Sequence, residues 1–75
     1  MNNAKIIIAL EIGHIVGSAQ YSTADSRFML SEMEKWVDQF YQLMKQNENN
    51  PDWDYMLEIE EFSMEKIAQN PEFVQ

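Results

Sequence analysis

The chain has 75 residues, 45% of them hydrophobic, no cysteine and a formal net charge of −8. That composition excludes a disulfide framework and a thiolate metal centre, and the charge argues against direct binding of nucleic acid or of an anionic membrane. The length predicts one domain over residues 1–75, and two Trp, three Tyr and four Phe set it apart from disordered acidic tails.

The charge is unevenly distributed. Residues 48–75 hold eight acids (Glu48, Asp52, Asp54, Glu58, Glu60, Glu61, Glu65, Glu72) against Lys66 alone, whereas residues 1–47 hold five acids and four bases. Such asymmetry produces a field that draws cationic surfaces and repels polyanions.

Residues 5–12 read Lys-Ile-Ile-Ile-Ala-Leu-Glu-Ile. Ile6, Ile8, Leu10 and Ile12 share one face at period two, and the β-branched content favours a strand. Gly13-His14 has the form of a type II′ hairpin turn, with residues 15–21 returning as a weaker strand. The rival is a helix over about 4–19, which would carry two glycines at roughly 1 kcal/mol each. The run Ile6–Leu10 is far shorter than the ~20 apolar residues that span a bilayer, and Lys5 and Glu11 do not suit a signal peptide. The expected location is therefore the cytoplasm.

Residues 22–26 are a polar connector rich in N-cap candidates. A long amphipathic helix follows over about 27–46. Its apolar side gathers Met29, Met33, Trp36, Val37, Phe40 and Met44, flanked by Leu30, Tyr41 and Leu43. Ser31 and Glu34 have capping-box spacing and offer an alternative start. The apolar arc is wider than a small sheet needs, so this face is expected to be core with a surplus for a dimer or a partner.

Asn-Pro at 50–51 breaks the helix. From 53 to 60 the residues alternate: Trp53, Tyr55, Leu57 and Ile59 against Asp54, Met56, Glu58 and Glu60. This predicts a half-buried strand with an acidic outer face. A helix with Asn50 as N-cap competes, but it scatters the apolar residues over two sides. Ser63 caps a short helix over about 64–69, and Asn70-Pro71 ends it. The expected architecture is thus α+β: a two- or three-stranded sheet packed on one long helix, with a short C-terminal helix. The alternative is a three-helix bundle over about 4–19, 27–46 and 51–69.

Nothing in the chain spells out a reaction. His14 is the only histidine, no cysteine or serine nucleophile motif accompanies it, and no calcium loop, phosphate loop or dinucleotide fingerprint occurs. Glu58, Glu60 and Glu61 on a strand face could pair as catalytic or cation-binding carboxylates, but a solvated face explains them as well. No enzyme activity, metal or cofactor is expected.

What remains is binding. The expected partner surface comprises Asp52, Trp53, Asp54, Tyr55, Glu58, Glu60, Glu61 and Phe73, in which acids supply charge and aromatics supply anchors. On a strand, alternate acids lie about 7 Å apart, close to backbone phosphate spacing. The partner is then a larger protein whose basic surface normally holds nucleic acid. In size and charge alone, the chain resembles small acidic inhibitors of phages and mobile elements, including anti-restriction and anti-CRISPR proteins. That resemblance implies an anti-defence inhibitor. The alternative expectation is a small homodimeric structural or adaptor protein.

Overall fold

The computed structural model describes residues 3–18 and 26–70, with the backbone alone at 18 and 26–30. Among these residues it contains three helices and no strand: α1 (Asn3–Ser18), α2 (Ser26–Gln46) and α3 (Tyr55–Gln69). The expected sheet is therefore absent, and a three-helix arrangement takes its place.

The helix α2 lies where its 3.6-residue periodicity puts it. Trp36, Val37 and Phe40 are buried, and Met33, Tyr41, Leu43 and Met44 pack around them. The start is Ser26 rather than the later Ser31 box. At the other end Asn47 Nδ2 donates to the Leu43 carbonyl at 2.9 Å and closes the last turn.

The expected strand over 5–12 is corrected to the first three turns of α1. Ile8, Ile12 and Val16, spaced by four, are the buried residues. That spacing runs straight through Gly13, where the hairpin reading stopped. Neither Gly13 nor Gly17 has the positive φ that a type II′ turn requires. Helix propensity disfavours isoleucine and glycine by at most about 1 kcal/mol per residue, and burial of three large side chains outweighs it. The helix packs on both α2 and α3, more extensively than those two pack on each other. Two covered sides explain the breadth of its buried arc, though Ile7 and Leu10 lie outside that arc and are exposed. Lys5 lies 3.0 Å from Asp38 and Gly13 lies near the Met33 methyl, so α1 and α2 run antiparallel.

The expected strand over 53–60 is corrected to a loop and the first turns of α3. In the loop the Asp52 amide donates to the Asn50 side chain at 3.1 Å. Asp54 is the N-cap, its carboxylate accepting from the Leu57 amide at 3.1 Å. This bond satisfies one of the first-turn donors that a helix leaves open. The alternation failed as a guide because Leu57 is half exposed rather than inward, while Tyr55, Ile59, Phe62, Ser63 and Ile67 turn to the core. Ser63, read as a cap, is fully buried in mid-helix. Asn70 closes α3, its amide donating to the Ile67 carbonyl at 3.1 Å and its side chain to the Lys66 carbonyl at 2.8 Å.

The core is centred on Phe40, which is fully buried. Its ring meets Phe62 at 5.4 Å, Tyr55 at 5.7 Å and Trp53 at 5.8 Å between centroids. Edge-to-face and tilted pairs of this kind add ~0.5–1.5 kcal/mol each beyond burial. They fasten α2 to the start of α3 and so fix the direction in which the outer side of α3 points.

Candidate partner interface on helix α3

The helical geometry redistributes the acids that the strand reading had paired. At 100° per residue, Asp54, Glu58, Glu61 and Glu65 fall within an arc of about 60° and rise over about 16 Å. Asp54, Glu61 and Glu65 are exposed and Glu58 is half-buried. The stripe lies opposite the buried line Ile59–Ser63–Ile67. Glu60 is separated from it by about 100° and borders a different feature, described below. Asp52 is exposed in the preceding loop. The spacing argument that likened alternate acids to phosphates fell with the strand.

The aromatic members of the expected surface are placed inward. Trp53 is half-buried, stacked on Phe40 and 6.3 Å from Tyr55. Tyr55 reaches far enough in that its hydroxyl is buried with no hydrogen-bond partner among the described residues. Burial, and secondarily the nearby Glu11 charge, push its phenol above the usual tyrosine range. Phe73 lies outside the described residues, as does the side chain of Met29. The apolar members that do border the acidic stripe are Leu57 and Met64, each half exposed and seven residues apart on its flank. Glu65, Leu57 and Met64 were absent from the expected surface. The signal that would have found them is the 54–58–61–65 spacing of acids, legible only once a helix is assumed.

No ion pair among the described residues reaches this stripe. Lys5 pairs with Asp38, Lys35 with Glu32 and Lys45 with Glu48, all on α1, α2 or the following loop. Hydrogen bonding to Glu48 and its charge raise the Lys45 ammonium above the ordinary lysine range. Lys66, the base of α3, sits over the Phe62 ring at 5.3 Å, about 80° round the helix from Glu58. The pairs 54–58, 58–61 and 61–65 are like charges at helical-neighbour spacing, each destabilising by about 0.2–0.5 kcal/mol. The helix N-terminus offsets this for Asp54 and Glu58 but not for Glu61 and Glu65.

Between α1 and α3 runs an open groove of about 410 Å³ bordered by Glu11, His14, Ile15, Met56, Glu60 and Met64. It brings His14 near Glu60, yet no group of three or more His, Asp or Glu among the described residues is arranged to hold a metal ion. No described helix is long and apolar enough to cross a membrane.

Comparison with protein-family models, with curated proteins and with solved structures finds no match. The functional reading therefore rests on this chain's own residues.

Proposed function

We propose that this protein is a non-enzymatic binding module whose α3 face docks on a basic surface of a larger protein. The observation that carries the proposal is the stripe Asp54–Glu58–Glu61–Glu65, which meets no lysine or arginine among the described residues. Three like-charge neighbours in one short helix weaken a small domain. A cationic partner reverses the sign of that term. Leu57 and Met64 beside the stripe add apolar contact, and methionine adapts to irregular partner surfaces.

The partner class that fits best is a protein whose basic groove ordinarily holds nucleic acid. Docking there blocks the groove, so the module acts as an inhibitor. In size and charge it resembles the small acidic anti-defence proteins of phages and mobile elements, and absence of cysteine suits action in the reducing cytoplasm. Association of this kind is fast and weakens with salt.

The test is capture of nucleic-acid-binding proteins from host extract by the tagged chain. Capture should fall with rising salt, be competed by DNA, and be lost in the triple variant Glu58→Lys, Glu61→Lys, Glu65→Lys. Undiminished capture by the charge-reversed chain would overturn the reading.

A further inference from the structure

The groove between α1 and α3 joins apolar surface to acid on two sides. Ile59 is buried in the core and Ile15 packs against it, and both line the groove. Met56 and Met64 border it and are 56% and 50% exposed. Glu11 on α1 and Glu60 on α3 form opposite banks. Neither carboxylate makes an ion pair among the described residues. His14 shares the α1 bank, and recognition asks nothing of it. Going round α3 from Ile59, the order is Met56, Glu60, Met64 and Leu57 over about 160°, and then the acidic stripe. The groove is therefore continuous with the α3 face, and Met64 belongs to both.

We infer that this groove receives a basic amphipathic helix of the partner, its apolar side on Met56, Ile59 and Met64 and its lysines or arginines on both flanks. This rests on the reading of α3 as a face for a basic protein, and it specifies the element of that protein that is held. Charge complementarity selects a cationic occupant. Glu11 and Glu60 stand on different helices, so basic residues along one flank alone would leave one bank unmatched. The apolar strip between the banks selects an occupant that also has an apolar side. Its two methionines adapt to the shape of what they meet.

The open form of the groove selects a helix over a small molecule. Its volume of about 410 Å³ would suit a small ligand, but such ligands bind where most of their surface is covered. A helix laid in a groove buries one side only. An extended peptide binds by adding to a sheet edge, and the described residues contain no strand. From Met56 to Met64 the groove runs about 12 Å along α3, the length of two helical turns. The fitting helix thus carries apolar residues at i, i+3 or i+4, and i+7.

The test is titration of the full chain with two synthetic peptides of one composition, leucine, alanine and lysine. One carries its leucines at helical spacing, and the other is scrambled so that it keeps the charge and loses the apolar side. At about 0.1 M salt the patterned peptide should bind at least tenfold more tightly. Amide shifts should appear on both banks, at Glu11 and Ile15 as well as at Met56 and Glu60. Met56→Ser should cut the preference for the patterned peptide at least threefold. Glu11→Gln with Glu60→Gln should weaken that peptide at least fivefold, and both variants should keep wild-type circular dichroism. Equal affinity for the two peptides, or shifts confined to α3, overturns the groove proposal and leaves the acidic stripe standing. The stripe reading fails separately, if Glu58→Lys, Glu61→Lys and Glu65→Lys together leave binding of the scrambled peptide unchanged.

Discussion

On α1 the side turned to solvent carries Ile6, Ile7 and Leu10 and no formal charge; on α3 it carries Asp54, Glu58, Glu61 and Glu65 and no base. Both helices bury a similar stripe, Ile8–Ile12–Val16 in one and Ile59–Ser63–Ile67 in the other. The inward sides are thus interchangeable in character while the outward sides are opposites. A fold of this size needs only one apolar stripe per helix, so each outward side is free to answer a different demand. For α3 the demand we propose is a cationic surface.

The comparison assumes one shared core, and the largest effect tests that assumption. Phe40→Ala should cost about 3–5 kcal/mol, enough to abolish the cooperative transition in thermal or urea denaturation and to remove both faces together. Next comes the contrast within α1. Ile12→Ala should cost about 2–5 kcal/mol, and Leu10→Ala, measured in dilute solution, less than about 0.5 kcal/mol. Equal losses at the two positions would erase the distinction between the inner and outer sides.

Smaller effects sharpen the account of α3. Ser63 is fully buried and its hydroxyl has no hydrogen-bond partner among the described residues. Ser63→Ala should therefore stabilise by about 1 kcal/mol in urea denaturation. Neutralising the stripe beyond the first turn with Glu61→Gln and Glu65→Gln together should gain about 0.5–1 kcal/mol at low ionic strength, and the gain should shrink with salt. A loss of stability would mean that the acids have intramolecular partners.

The smallest effect is a pH dependence. Burial raises the Tyr55 phenol in the folded chain, so from the ordinary tyrosine range near pH 10 upward the unfolded chain releases this proton first. Stability should fall as pH rises from there towards the folded value and level off above it. Tyr55→Phe should remove that contribution, which alkaline denaturation curves of the two chains would show.

The sequence was readable where one period dominated. In α2, Trp36, Val37 and Phe40 sit among Glu34, Lys35 and Asp38 at helical spacing, and the element was placed within a residue or two. In α1 every side carries isoleucine or leucine, so period two and period 3.6 fit equally well. What decided the matter was packing against two other helices, which no local pattern reports. In 53–60 the alternation was accidental. It required Leu57 to be inward, but folded proteins leave many large apolar residues on the surface. Asp54 as N-cap was the local clue, masked by Asn50 and Pro51 as rival starts. The concentration of acid in the C-terminal part was plain from the sequence, but its grouping into one stripe, with Glu60 left aside and Glu65 included, depended on the helix. The inward placement of Trp53 and Tyr55 depended on Phe40, a residue distant in the chain.

The most direct test of the division between the two faces is amide chemical-shift mapping of the full chain titrated with an arginine-rich nucleic-acid-binding peptide, at about 0.1 M and about 0.5 M salt. Shifts should gather on Asp54, Leu57, Glu58, Glu61, Met64 and Glu65 and fade at the higher salt, with Ile7 and Leu10 unmoved. Shifts centred on Ile7 and Leu10, or a footprint on α3 that salt leaves unchanged, would contradict it.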